Sequence, residues 1–409
     1  MNLSNRIKLS SMMFLEFFIW GSWFVTLGTF LGNNLNASGS QSAAVFSTQS
    51  WGAIIAPFII GMIADRFFNA EKILGILHLV GALLMYQMYN ATDISAFYPY
   101  VLSYMILFMP TLALVNSVSF NQMKDPEKEF STIRVWGTIG WIVAGLLISF
   151  VFHWDSADGI KSGFMKNTFM MAGVGSLILG LFSFALPATP PKVSKEKVKI
   201  SEILGLDALK LLKDKNFAIF FVSSILICIP LAFYYQNANP FLSNIGVDNP
   251  TGKMTIGQMS EVLFLLLLPV FFSRFGFKKT ILVGMLAWAL RYALFAYGNA
   301  SDLSFMLIIG IALHGVCYDF FFVSGQIYTN SKAGAQYKSA AQGLITLATY
   351  GIGMLIGFEV AGSITDTYKM ADGFDWKMIW IIPAGIAAVV FLLFAVLFND
   401  KEKVKVEGI

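Results

Sequence analysis

The chain has 409 residues, of which 56% are apolar and only 13% are charged, and its mean hydropathy is +0.68. Soluble domains average about a quarter charged residues, so the composition excludes an ordinary soluble protein and predicts many membrane-spanning helices. The formal net charge of +4 follows from basic loops on one side of a membrane and requires no nucleic-acid partner.

Twelve apolar runs each approach the ~20 residues that a helix needs to cross a bilayer. They predict an all-α membrane protein with twelve transmembrane helices, numbered here as spans 1 to 12. Most lysines and arginines fall near the N-terminus and in alternate loops, which places both termini in the cytoplasm. The predicted spans are 11–31, 43–64, 73–90, 97–119, 133–153, 167–187, 217–238, 255–273, 280–298, 303–326, 338–360 and 377–398.

Span 1 carries Glu16, Trp20 and Trp23 at separations of four and three residues, which puts them on one face of a helix. Two interpretations are open. Glu16 can lie at the cytoplasmic interface with the tryptophans as interfacial anchors. Alternatively, the three side chains line a polar cavity inside the membrane.

Two similar loops indicate an internal repeat. The segment 61–66 reads Gly-Met-Ile-Ala-Asp-Arg after span 2, and a weaker echo at 273–279 follows span 8, the equivalent place in a second half. The lysine-rich segment 188–216 would then link the halves 1–187 and 217–409. This pattern resembles the major facilitator superfamily, whose loop between helices 2 and 3 reads Gly-x-x-x-Asp-Arg. The resemblance implies two six-helix bundles with a substrate between them near mid-membrane.

Span 5 begins with Arg134, Thr138 and Trp141, which project from one side of a helix. An arginine at the start of a spanning helix is commonly an interface anchor. The hydroxyl and the indole above it fit a contact with a ligand equally well, so both interpretations stay open.

Spans 7 and 8 add polar groups at their outer ends. Tyr235, Gln236 and Asn239 form an unusually polar end to span 7, and Gln258 and Glu261 lie three residues apart on one face of span 8. Glu261 is either a shallow interfacial residue or a buried proton carrier.

Span 10 has a carboxylate, Asp319, near its middle, with His314 and Tyr318 four apart on an adjoining face. An ionised aspartate at the bilayer centre costs roughly 2.5–3.5 kcal/mol, so its presence indicates a function in a wet cavity. Arg291, deep in span 9, is expected to pair with a carboxylate, either Glu261 or Asp319.

Motifs of enzymes and metal sites do not occur. The three histidines fall in different predicted helices, and neither His-Glu-x-x-His nor Gly-x-Ser-x-Gly is found. Cys228 and Cys317 lie inside predicted spans, which argues against a disulfide. We expect no enzymatic activity, no metal and no cofactor.

Three motifs resemble the nucleoside:proton symporters of the major facilitator superfamily, and the similarity extends from span 1 to span 12. They are Arg134-x-Trp-Gly-Thr138, Gln258-x-x-Glu261 and Tyr318-Asp319-Phe-Phe. The resemblance implies a nucleoside site formed by Arg134, Thr138, Trp141, Gln258, Glu261, Tyr318 and Asp319.

Two positions depart from the family pattern. Ala232 and Tyr235 stand where the family has a glutamine and an asparagine on helix 7, so Gln236 or Asn239 is expected to supply the missing hydrogen bonds. His314 stands where the family has a tyrosine. Tyr235, Gln236, Asn239 and His314 complete the predicted substrate site.

The sequence therefore predicts a multi-pass transporter of the bacterial cytoplasmic (inner) membrane that imports nucleosides with protons by alternating access. Carboxylates and amides would bond the ribose, aromatic rings would stack on the base, and Asp319 or Glu261 would carry the proton. The expected partners are the nucleoside, protons and lipid, and a monomer is expected. The alternative is proton symport of another neutral hydroxylated solute, such as a sugar.

Overall fold

The computed structural model of the chain describes residues 2–59, 68–124, 126–191 and 206–399. These residues are almost entirely helical, which confirms the predicted all-α class. The helices of the first half are α1 Leu3–Trp23, α2 Leu27–Asn34, α3 Gly39–Ile59, α4 Ala70–Asn90, α5 Ile94–Asn121, α6 Pro126–Leu146, α7 Ala157–Lys161 and α8 Asn167–Ser183. The second half contains α9 Lys215–Asn244, α10 Pro250–Tyr297, α11 Ser304–Ala312, α12 His314–Tyr318, α13 Ser324–Thr346, α14 Met354–Thr367, the hairpin β1 Lys369–Met370 and β2 Gly373–Phe374, and α15 Trp376–Leu397.

Ten helices of the described residues are long and apolar enough to cross a membrane. One of them, α10, contains two predicted spans, which are separated at Gly276 by a non-helical conformation (φ 74°, ψ 175°). Only glycine adopts this region readily. The predicted loop 61–66 and residues 192–205 of the predicted linker 188–216 lie outside the described residues. The membrane architecture is thus confirmed, whereas the count of twelve spans stays a prediction.

The chain forms two compact units, and each includes a short segment from the other half of the sequence. The division of the chain at the linker stays a prediction. Unit 1 comprises the described residues of Met1–Ala37, Val45–Val198 and Asp248–Thr255. Unit 2 comprises those of Ser38–Ala44, Lys199–Val247 and Ile256–Ile409.

The segment that unit 2 takes from the first half is the start of α3. Asp366, at the end of α14, accepts hydrogen bonds from the backbone N–H of Gly39 (2.6 Å) and of Ser40 (2.8 Å), and from the Ser40 hydroxyl (2.6 Å). A carboxylate suits this place because the first N–H groups of a helix lack intrahelical acceptors and carry partial positive charge.

The segment that unit 1 takes from the second half is the start of α10. The Asp155 carboxylate accepts from the Thr251 N–H (3.0 Å) and from the Ser149 hydroxyl (2.5 Å). Ser149 Oγ in turn accepts from the Gly252 N–H (2.7 Å). Both exchanged segments are therefore helix starts whose free N–H groups are bonded by a carboxylate distant in sequence.

Unit 1 is held together by close helix packing around small residues. α1 lies against α6 where a Cβ at Gly140 would overlap the carbonyl oxygen of Phe14. A buried aromatic cluster fills the interior, in which the Trp23 ring meets those of Tyr104 (5.5 Å between centroids) and Phe169 (5.9 Å). In lipid, helices associate through such close packing rather than through water exclusion.

Unit 2 has its own aromatic interior. The rings of Phe277 and Tyr328 stack at 4.2 Å, and those of Tyr292 and Trp380 stack at 5.5 Å. The Tyr292 hydroxyl donates to the carbonyl oxygen of Pro230 (2.6 Å). This carbonyl lies inside α9, where prolines 230 and 240 each remove a backbone donor from the helix.

Candidate functional site

Asp319 lies at an irregularity of its helix. α12 is followed by a π-helical stretch, Asp319–Val323, and α13 by another, Leu347–Gly353. Such stretches are frequent at functional sites because they displace side chains from regular helical positions. Asp319 is only 1% exposed, and its Oδ2 has no hydrogen-bond partner among the described residues.

Arg291 does not make the carboxylate pair that the sequence predicted. It is fully buried, donates from Nη1 to His314 Nδ1 (3.0 Å), and its guanidinium lies 3.5 Å above the Tyr234 ring. The imidazole takes the place of the carboxylate where α10 and α11 pack closely: a Cβ at Gly310 would lie 3.4 Å from the carbonyl oxygen of Arg291.

The hydrogen bond from Arg291 fixes the tautomer of His314. An arginine can only donate, so Nδ1 is the acceptor and a neutral imidazole carries its hydrogen on Nε2. That atom faces Glu261, with 4.0 Å between Nε2 and Oε2. Guanidinium, imidazole and carboxylate thus form a row from the interior of unit 2 to its partly exposed face.

Aromatic rings continue this row along α12. The His314 ring lies 5.4 Å from that of Tyr234 and 5.8 Å from that of Tyr318, in stacked orientation in both cases. The hydroxyls of Tyr318 and Tyr350 are 2.6 Å apart. Sequence reasoning missed Tyr350, whose only signal was an aromatic hydroxyl within the glycine-rich span 11.

Four predicted residues of unit 2 are accessible in part, and three of them, Tyr235, Glu261 and Tyr318, lie close together. Tyr235, Gln258, Glu261 and Tyr318 are each partly exposed, and the Glu261 side chain is 26% exposed. Tyr235 lies close enough to Tyr318 and Glu261 to interact with them electrostatically, and Glu261 acts on Asp319 in the same way. A buried carboxylate therefore lies behind a face of hydroxyl, amide and carboxylate groups.

Gln236 and Asn239 lie in a different environment from Tyr235. They are 2% and 1% exposed, and Gln236 donates from Nε2 to the carbonyl oxygen of Gly39 (3.2 Å) at the start of α3. Between them, Asn237 donates to the Thr365 hydroxyl (3.0 Å). In this structure the visible contacts of Gln236 join helices of unit 2, and its role toward a substrate stays a prediction.

Unit 1 presents Arg134, Thr138 and Trp141 as a partly exposed group on α6. The Arg134 guanidinium lies 4.0 Å from the centroid of the Phe17 ring, and the Trp141 ring meets the Trp20 ring edge-on at 5.5 Å. Arginine on an aromatic face and a pair of indoles form a surface suited to flat, polar ligands.

The three residues predicted to share a face of span 1 separate in the structure. Trp20 is partly exposed beside Trp141, whereas Glu16 and Trp23 are fully buried within unit 1. Glu16 bonds to His78 (2.8 Å) and Thr111 (2.6 Å). Glu16 is therefore neither exposed, as a residue at the membrane interface would be, nor on an accessible face with Trp20, because other helices supply its hydrogen-bond partners in the interior.

Comparison with known proteins identifies similar transporters. The family model described as "Nucleoside H+ symporter" matches residues 1–403. The YegT protein of Escherichia coli (strain K12) is 43% identical over 98% of this chain and 95% of its own length. The nucleoside permease NupG of the same organism is 32% identical over 98% and 97%. A crystal structure of nucleoside transporter NupG has a TM-score of 0.87 at 31% identity, covering 98% of this chain and 100% of that one.

Proposed function

The chain belongs to the nucleoside H+ symporter family, and from this premise we propose how its own residues carry substrate and proton. The protein is a transporter of the bacterial inner membrane with the major facilitator fold, and it imports nucleosides together with protons. The proposal concerns the residues that perform this transport.

The partly exposed face of unit 2 binds the ribose. A nucleoside is uncharged and offers hydroxyl groups, which are recognised by amide and carboxylate groups in a partly dry site. Gln258 and Glu261 supply these groups, and the hydroxyl of Tyr318 adds a donor. This proposal is supported chiefly by the position of Glu261, which is accessible and has the buried Asp319 as a close neighbour.

Flat side chains bind the base. Trp141 in unit 1 and Tyr235 and Tyr318 in unit 2 are each partly exposed, as a ring that stacks on a ligand must be. Aromatic stacking on a nucleobase contributes roughly 1–3 kcal/mol per base and tolerates different bases. Arg134 and Thr138, beside Trp141, hydrogen-bond the polar edge of the base.

Asp319 and Glu261 bind the transported proton. Two neighbouring carboxylates repel each other when both are ionised, and this repulsion grows as water leaves the site. A proton taken up by the pair removes one charge, which lowers the cost of closing the site over a neutral nucleoside. Release of nucleoside and proton on the cytoplasmic side restores the empty carrier.

Uptake of radiolabelled uridine into vesicles tests this assignment. With a pH gradient of one unit, one coupled proton supports about tenfold accumulation, since roughly 1.4 kcal/mol corresponds to a factor of ten. Asp319→Asn is expected to lower the accumulation driven by the pH gradient while exchange of labelled for unlabelled uridine continues. Glu261→Gln is expected to weaken both, because Glu261 also contacts the ribose.

Asp302→Asn, which changes an exposed carboxylate of unit 2, is the matched control and should behave as the unchanged protein. Uridine uptake that ignores an imposed pH gradient, or that accumulates to the same level in Asp319→Asn, Glu261→Gln and the unchanged protein, would refute the assignment. A competition series with cytidine, adenosine, inosine and guanosine in the same assay defines the accepted bases.

A further inference from the structure

Unit 1 contains a second buried acid–base group, which lies outside the substrate face described above. Glu16 and His78 are 0% and 2% exposed, and their Oε2 and Nε2 atoms are 2.8 Å apart. The Thr111 hydroxyl lies 2.6 Å from Glu16 Oε1, and the Ser176 hydroxyl lies 3.0 Å from His78 Nδ1. Four helices, α1, α4, α5 and α8, each supply one of these side chains.

The hydrogen bonds of this group accommodate two protonation states. Ser176 Oγ lies 3.1 Å from the His78 carbonyl oxygen as well as near Nδ1, and its single hydrogen can point to either. When it points to the carbonyl, Nδ1 carries a hydrogen and donates to Ser176, and one further proton is shared by Nε2 and Glu16. When it points to Nδ1, the only ring hydrogen is on Nε2 and bonds the Glu16 carboxylate.

The first arrangement holds one proton more than the second, and apart from that proton the two differ only in the orientation of the Ser176 hydroxyl. Thr111 has a similar choice, because its hydroxyl reaches both Glu16 Oε1 and the carbonyl oxygen of Phe108 (2.5 Å). The first arrangement is neutral overall, and the second has a net charge of −1. A buried net charge is costly in an apolar interior, and the second arrangement places such a charge among these helices.

The surroundings contain few other ionisable groups. α5 contributes Tyr104, whose buried hydroxyl has no hydrogen-bond partner among the described residues and which senses the charge of Glu16. α8 carries no ionisable side chain, and α6, which also packs on α1, brings Arg134 to the neighbouring Phe17 ring. Within these contacts, no lysine or arginine bonds Glu16 or His78, so no basic side chain there neutralises the carboxylate when the proton leaves.

A continuous row of rings connects this group to the proposed base-binding surface of unit 1. The His78 ring meets the Phe108 ring at 6.2 Å, Phe108 meets Trp20 at 5.6 Å, and Trp20 meets Trp141 at 5.5 Å. A base that displaces the Trp141 ring would therefore disturb the rings packed against His78. Substrate binding is in this way coupled to the Glu16–His78 pair through ring contacts.

We propose that Glu16 and His78 form a second proton-binding site, in unit 1, which takes up and releases one proton in each transport cycle. The proposal rests on the proposed function in one respect, namely that the protein carries nucleosides with protons. It adds that two protons move with each nucleoside, one bound in each unit.

The test measures protons taken up per uridine in proteoliposomes that contain a pH-sensitive dye. The unchanged protein should take up two protons per uridine, and Glu16→Gln should take up one, a twofold fall, while uridine exchange continues. His78→Gln serves as a second variant in case Glu16→Gln fails to fold, and it should lower the same ratio.

Glu71→Gln is the matched control. Glu71 is also buried in unit 1, at 3% exposure, but it accepts from Asn69 Nδ2 and the Thr189 N–H (2.8 Å each) and has no imidazole partner. A purely structural role for Glu16 predicts that Glu16→Gln and Glu71→Gln change stability without changing the proton ratio. That result, or a ratio of one in the unchanged protein, would overturn the proposal.

A spectroscopic readout separates this proposal from the transport assignment. Infrared difference spectra recorded on addition of uridine should contain a carboxylic-acid band that disappears in Glu16→Gln and remains in Asp319→Asn. Loss of that band only in Asp319→Asn would contradict a second site. Absence of any response to uridine would contradict the proposed function instead.

Discussion

At the scale of single residues, the molecule stabilises buried charge with neutral groups. Arg291 is fully buried and contacts an imidazole and an aromatic face where a carboxylate was expected. A direct carboxylate would cancel its charge, whereas His314 leaves the guanidinium charged, with Glu261 on the other side of the imidazole. We infer that this arrangement lets Arg291 act on Glu261 through the ring without forming a permanent ion pair.

Replacing His314 with phenylalanine should expose the cost of this arrangement. The ring stacking with Tyr234 and Tyr318 is retained, but Arg291 Nη1 loses its acceptor in a buried place. Such a loss costs roughly 1–3 kcal/mol, so thermal unfolding in detergent should occur at a lower temperature. Tyr318→Phe, which removes a partly exposed hydroxyl, should change the midpoint much less. Equal midpoints for the two variants would contradict this prediction.

At the scale of secondary structure, two helix starts depend on carboxylates that are distant in sequence. α3 begins where Asp366 accepts from Gly39 and Ser40, and α10 begins where Asp155 accepts from Thr251. Asp366 and Asp155 have the same role, since each accepts from N–H groups that lack an acceptor within the helix. Neither partner is recognisable from local sequence, because a capping residue usually lies next to its helix.

Asp366→Asn should loosen the start of α3. The amide keeps one acceptor oxygen but loses the charge that suits a helix N-terminus, and losses of this kind cost roughly 0.5–2 kcal/mol. If the cost is about 1–2 kcal/mol, the upper part of this range, hydrogen exchange of the Gly39 and Ser40 amides should become about 5–30 times faster. Asp375→Asn makes the same change at the local cap of α15, which accepts from the Met378 N–H (3.1 Å), and it should affect only the start of α15. Unchanged exchange in Asp366→Asn would show that the carboxylate does not hold this helix.

At the scale of the whole molecule, composition and apolar run length sufficed to predict the membrane fold and most helix positions. The shared face of Gln258 and Glu261 was predicted from helical periodicity, and both side chains are partly exposed; their membership of one site with Tyr318 rested on the family resemblance and stays a prediction. The partners of Glu16 and Arg291 could not be predicted in this way, because His78 and His314 lie on other helices. Tertiary packing decides such pairs, and a single sequence contains no record of it.

The exchanged segments predict how fragments of the chain behave. A fragment 1–198 lacks the residues 248–255 that complete unit 1, and a fragment 199–409 lacks the residues 38–44 that complete unit 2. Each fragment alone should be degraded rapidly, whereas co-expression should restore uridine uptake. Appending residues 248–255 to the first fragment through a flexible linker should slow its proteolysis, and a scrambled version should not. Protease resistance of fragment 1–198 alone, equal to that of the full chain, would contradict this.

The same carboxylate caps impose an order on biosynthesis. Asp155 leaves the ribosome 96 residues before Thr251, and Ser40 leaves it 326 residues before Asp366. Synthesis adds about 5–20 residues per second. Thr251 is therefore made roughly 5–20 seconds after Asp155, and Asp366 is made roughly 16–65 seconds after Ser40. Ser38 and Gln41 bond each other at the start of α3 from the beginning, whereas the N–H groups of Gly39 and Ser40 stay without the Asp366 carboxylate until the end of α14 emerges.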